Sequence, residues 1–187
     1  LPVRWGEDGW PVFGDGGRTV DRWKKPAVSR AQPIARPRTS DEFDGPALGP
    51  QWQWNHNPVA GAWSLAARPG WLRLAARPAT DMSRARNTLT QKLWDDAGVV
   101  EVRLDASGLA DGLRAGLTFM SGSTFGWVGI GQRGGERRIL WDQGEGPALV
   151  GNEVWMRGRY SGDEARLEYS LDGRTWSESG VAFTLAL

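Results

Sequence analysis

The only histidine of the chain, His56, stands in the string Trp54-Asn55-His56-Asn57-Pro58. An imidazole between two planar carboxamides offers donors and acceptors suited to hydroxyl groups, and the indoles of Trp54 and Trp63 offer apolar faces on which a sugar ring can stack. The composition is that of a sugar-facing loop. The alternative is a packed, hydrogen-bonded structural histidine. A second polar string at residues 83–90, SRARNTLT, carries Arg86 and Asn87 as candidates for the same edge.

Other chemistry is harder to place. Hydrolysis of a glycosidic bond needs two carboxyl groups across the scissile bond, one protonated and one ionised. Asp8, Asp15, Asp44, Asp105, Asp111, Asp163 and Asp172 adjoin glycine or lie near it, where turn geometry alone explains a carboxylate. No pair stands out. With one histidine and no cysteine, a metal would need an oxygen-ligand site, and Asp105 and Asp111 in DASGLADG are the candidates for Ca²⁺. Their spacing matches no EF-hand, and no other cofactor is indicated.

Charge and hydropathy limit the partners. The 23 basic residues are balanced by 22 acidic ones, for a net charge of +1, so the basic surplus that nucleic acid demands is missing. No apolar run reaches the roughly 20 residues of a membrane span. The absence of cysteine excludes disulfides but does not settle the compartment; the expectation is a secreted or periplasmic one.

The elements that must position these residues read as strands. Apolar alternation recurs at residues 63–65, 71–75, 88–94, 99–104, 113–120, 125–130, 137–141, 154–160, 165–171 and 176–183, with turn residues between and no helical period. Val100, Val102 and Leu104 share one face. Gly134-Gly135 predicts a tight hairpin, and Asp172-Gly173 a type I′ one; SLDGRTW is one residue short of the Asp-box of sialidases. Trp94, Trp127, Trp141, Trp155 and Trp176 are expected to fill the layer between two sheets. Upstream, residues 3–5 and 10–13 flank Glu7-Asp8-Gly9 as a hairpin that wants a partner sheet. Residues 21–39, with three prolines and six basic residues, read as an extended linker.

Residues 40–74, SDEFDGPALGPQWQWNHNPVAGAWSLAARPGWLRL, followed by ARNTLTQKLW at 85–94, resemble the opening of the C-terminal β-sandwich of glycoside hydrolase family 43. Members of that family are arabinofuranosidases and β-xylosidases with a five-bladed propeller ahead of the sandwich. The resemblance implies an all-β, concanavalin A-like (lectin-like) antiparallel sandwich at residues 40–187, ending earlier than is usual in the family. Residues 1–20 would be the last propeller strands and 21–39 the linker. The family's general base, general acid and acid-tuning carboxylate come from the propeller, so none is carried over to this chain. The loop at 54–61 would close one side of the propeller pocket, with Trp54, Asn55, His56 and Asn57 as its wall and Arg86 and Asn87 as a secondary edge. The implied partners are an upstream five-bladed propeller, in the same or another chain, and arabinose- or xylose-containing glycans. An autonomous carbohydrate-binding module and an interaction domain without sugar contact remain the other readings, since fold alone does not fix function.

Overall fold

The computed structural model describes residues 2–24, 36–122 and 124–185. Much of the expected linker, residues 25–35, lies outside the described residues. The chain divides into two compact units, residues 1–37 and 38–187.

The first unit is an antiparallel hairpin of β1 (Val3–Trp5) and β2 (Pro11–Phe13), with Val3 opposite Phe13 and Trp5 opposite Pro11. Asp8 shapes its turn by accepting from the Trp10 amide at 3.1 Å. Val3, Val12 and Phe13 are exposed, and Trp5 and Trp10 are 75% and 74% exposed.

The second unit is built on two four-stranded antiparallel sheets. One has the order β11-β10-β9-β8, from β8 (Arg114–Ser121), β9 (Thr124–Arg133), β10 (Glu136–Trp141) and β11 (Gly144–Ala148). The other runs β14-β13-β12-β7, from β7 (Ala97–Asp105), β12 (Glu153–Ser161), β13 (Glu164–Ser170) and β14 (Ser177–Thr184). Every pairing is antiparallel. Two short pairs precede the sheets: β3 (Trp52–Trp54) with β6 (Leu89–Gln91), and β4 (Trp63–Ser64) with β5 (Arg73–Leu74). A 3-10 helix, Met82–Arg84, lies before β6. Among the described residues no helix is long and apolar enough to cross a membrane.

Period-two alternation creates the core. Val128 and Ile130 of β9, Ile139 of β10, Val154 and Met156 of β12 and Leu167 of β13 are fully or almost fully buried in one cluster, with Val102 and Leu104 of β7 packed against it. Fully burying each such side chain is worth about 1.5–3 kcal/mol. Gly134-Gly135 forms the expected two-residue turn, with φ of 59° and 79° between Arg133 and Glu136.

The structure corrects two expectations. The β13–β14 connection is not a type I′ turn, because Asp172 does not have the positive φ that such a turn requires at both central residues. Tyr169 pairs with Ser177 across a wider loop. There Asp172 Oδ1 accepts from the amides of Arg174 (2.8 Å) and Thr175 (2.7 Å) and from Ser170 Oγ (2.9 Å). These bonds, the Thr175 amide foremost, hold its carboxyl far below the usual range.

The tryptophans are the second correction. Trp141 does pack against the core, stacked on Tyr169 at 6.2 Å, but Trp94 is exposed. Alternation turns Trp155 outward, beside Arg103 at 5.5 Å, while Trp176 lies under Arg157 at 3.8 Å. Trp127 is buried but belongs to the outer face of its sheet, where it lies over Gly129.

Truncating the inner layer tests this layout. Leu167→Ala is expected to lower stability by about 2–5 kcal/mol, whereas Val150→Ala, at a position 97% exposed, should change it by less than about 0.5 kcal/mol. Equilibrium unfolding in urea reads both.

Candidate functional site

The pairing of β3 with β6 places Trp54 opposite Leu89. It continues through the Asn55 amide, which donates to the Thr88 carbonyl at 3.0 Å, and through Thr90 Oγ1, which donates to the Gln53 carbonyl at 2.9 Å. Residues 55–57, leaving β3, therefore run beside residues 83–88, entering β6. The two polar strings become neighbours.

The 3-10 helix supplies the anchor. Asp81 caps it, accepting from the Arg84 amide at 3.1 Å and from Ser83 Oγ at 2.5 Å, and the Ser83 hydroxyl is the main cause of its lowered pKa. The Ser83 carbonyl accepts from Asn55 Nδ2 at 2.7 Å and meets His56 Nε2 at 2.8 Å. A carbonyl can only accept, so His56 Nε2 carries hydrogen and Nδ1 of the neutral ring is an acceptor. Arg86 forks onto the Asn57 carbonyl, with Nε at 3.1 Å and Nη2 at 3.0 Å. Asn87 Nδ2 donates to the Ala75 carbonyl at 2.6 Å, just past β5, and the rings of Trp54 and Trp63 lie 5.4 Å apart. His56 and Asn57 are exposed, and Trp54 and Asn55 half-buried.

All six residues singled out in the two strings thus converge on one loop cluster. What side-chain types could not reveal is the role of a backbone carbonyl, that of Ser83. The capping signal of Asp81, three residues before Arg84, was the available clue.

Asp105 and Asp111 are not brought together as ligands. Asp105 pairs with Arg68 through Oδ2 and accepts from the Ser107 amide at 2.8 Å; Ser107 foremost, then Arg68, brings its pKa down to about 2. Asp111 accepts from the amides of Gly134 (2.8 Å) and Gly135 (3.0 Å), bracing the β9–β10 hairpin, and these bonds, the Gly135 amide first, lower its pKa. Among the described residues, no group of three or more His, Cys, Asp or Glu side chains is placed to hold a metal ion.

The sandwich and its sequence have clear relatives. Residues 40–186 match the family model of the β-xylosidase C-terminal concanavalin A-like domain, and the chain belongs to that family. The resemblance to the C-terminal part of a glycoside hydrolase family 43 enzyme is borne out. Over 99% of its length the chain is 34% identical to a β-xylosidase of Formosa agariphila and 36% identical to a putative β-xylosidase of Xylanibacter ruminicola. It spans 36% of each of these relatives. Among solved structures, a glycoside hydrolase of family 43 engineered for both endo-xylanase and exo-arabinofuranosidase activity superposes with a TM-score of 0.75 at 28% identity. That match covers 99% of this chain and 42% of the other.

The depressed pKa of Asp105 fixes the sign of a pH test. Its folded value of about 2 lies below the unfolded value near 3.9, so the stability it contributes is complete above that value and is lost as pH falls towards 2. Asp105→Asn is expected to cost about 1–2 kcal/mol at pH 7. The gap from the parent should shrink between about pH 4 and pH 2, read from denaturant midpoints across that range.

Proposed function

We propose that the chain is the accessory sandwich of a hemicellulose-degrading glycoside hydrolase of the arabinofuranosidase or β-xylosidase type. In this reading the sandwich closes one side of a propeller active site and stabilises it. Residues 1–20 are the last strands of that propeller, and the exposed apolar side chains of the β1–β2 hairpin support this, because an isolated hairpin is marginal in water. Relatives named as β-xylosidases and one named as a non-reducing end α-L-arabinofuranosidase support the substrate class, arabinose- or xylose-containing glycans.

The observation that carries the proposal is the fixing of residues 55–57 by the Ser83 carbonyl and Arg86. It leaves His56 Nδ1, the Asn57 amide and the flank of Trp54 to face a substrate. A rigid polar wall of this kind closes a pocket, and a closed pocket admits a chain end while blocking a passing chain. The catalytic carboxylates come from the propeller. In this chain Asp105, Asp111, Glu168 and Asp172 are held below their usual pKa, which suits ionised structural groups and not a general acid.

Release of nitrophenol from aryl arabinofuranoside and xyloside tests the reading, with this chain alone and then with the upstream propeller portion. Activity is expected only with the propeller present. In the complete enzyme, His56→Ala should lower kcat/KM about tenfold, the worth of one substrate hydrogen bond. Unchanged kinetics would remove His56 from the wall, and activity of the chain alone would overturn the division of labour.

A further inference from the structure

Outside the loop cluster, one open cavity of about 330 Å³ lies on the outer face of the β8–β11 sheet, lined by Arg114, Trp127, Leu140, Asp142 and Glu145, with Trp141, Gln143 and Gly144 at the turn between β10 and β11. Its volume lies at the small end of the range for ligand sites, about 300–1,000 Å³.

The dip in the sheet has a sequence cause. Gly129 and Gly131 point to this face, and a Cβ at either would collide, at Gly129 with the Trp127 indole and at Gly131 with Leu140. Glycine lets those side chains lie flat, and the stem of Arg114 lies beside Gly131. The floor is therefore apolar and recessed.

The rim is polar and uncommitted. Arg68, Arg103, Arg138, Arg157 and Arg159 are all ion-paired. Arg114, Gln143 and Glu145, by contrast, have no side-chain hydrogen bond or ion pair among the described residues. Asp142 makes one long contact, accepting from the Trp127 amide at 3.4 Å, and burial raises its pKa. A guanidinium and a carboxamide supply donors; Glu145 and Asp142 supply acceptors. One cation against two carboxylates gives no net attraction for an anion, whereas mixed donors and acceptors over an apolar floor suit a neutral polyol. The cavity is tied to the candidate site through β9, which bears Trp127 and on which the 3-10 helix of Ser83 packs.

We propose that this cavity is a second glycan-contact site, holding a short neutral segment of a pentose polysaccharide while its end is processed elsewhere. The choice of polysaccharide rests on the reading given under the proposed function; the site itself rests on the cavity.

Affinity electrophoresis of the complete protein in gels containing soluble arabinoxylan tests it, alongside kinetics on aryl xyloside. Arabinoxylan should retard the parent. The Arg114→Ala/Glu145→Ala double variant and, independently, Gln143→Ala in the exposed turn should weaken retardation, the double variant by about tenfold or more in affinity. Melting temperature and aryl-xyloside kcat/KM should be unchanged. A parent that is not retarded, or retardation that persists in both variants, overturns the site. Absence of aryl-pentosidase activity with variant-sensitive retardation would instead overturn the accessory-domain reading and leave the site standing.

Discussion

Between the two sheets lies a layer of mostly aliphatic side chains, with Phe119 among them, and its continuity constrains everything outside it. Val154 and Met156 must point inward for β12 to meet Val128 and Ile130 of β9, so Trp155, Arg157 and Arg159 must point outward. A register slip of one residue would exchange the two sets. The outward set is then settled by stacking and pairing. Arg103 lies between the rings of Trp71 (5.2 Å) and Trp155 (5.5 Å), Arg157 covers Trp176, and Glu168 accepts from Arg157 at 2.7 Å and Arg159 at 3.0 Å. Each such cation–π contact is worth about 0.5–1 kcal/mol at an exposed site, against about 1.5–3 for each buried aliphatic. The inner layer decides the fold, and the outer contacts decide where the large side chains lie.

Aspartates do a second kind of work. Asp41 accepts from the Phe43 amide at 2.9 Å and from Trp52 Nε1 at 2.8 Å, holding Phe43 at φ 54° with its ring stacked on Trp52. Asp81, Asp105, Asp111 and Asp172 each accept from backbone amides at a turn or cap. Hydrogen bonds that stabilise the ionised form lower the pKa, and Asp81, Asp105, Asp111 and Asp172 are all held below the usual carboxylate range. Asp142 is shifted the other way, by burial.

Alternation was legible in β7, β9, β12 and β13 because one face of each is buried and the other wet. β11 was not, since GEGPA carries glycine and proline where a strand usually carries branched residues; it is an edge strand, paired only with β10, and its register shifts between Arg138 and Leu140, opposite the segment that holds Pro147, as suits a proline at an irregular edge. Asp172-Gly173 looked like a tight turn because that dipeptide commonly makes one, but here the carboxylate competes for the amides and opens a wider loop. The tryptophans misled for a related reason: size suggested the interior, while strand parity put Trp155 outside. At the candidate site, the polar turn at 55–57 was readable from side-chain types. Its anchor was not, because the Ser83 carbonyl has no side-chain signature.

That anchor also changes what residues 83–90 do. Asn55 and His56 share one acceptor, the Ser83 carbonyl, and Arg86 holds the carbonyl of the next residue, Asn57. Three consecutive residues are thus fixed from the same flank. Arg86, which its type suggested as a sugar contact, directs its fork to the chain itself. Ordering such a loop before binding removes an entropy cost of about 0.5–1.5 kcal/mol for each rotamer-rich side chain that would otherwise be immobilised by the ligand. The Asn55 and His56 bonds converge on one oxygen, whose two lone pairs can accept both. The loop is thus held at a backbone atom, and that atom is in turn placed by the Asp81 cap.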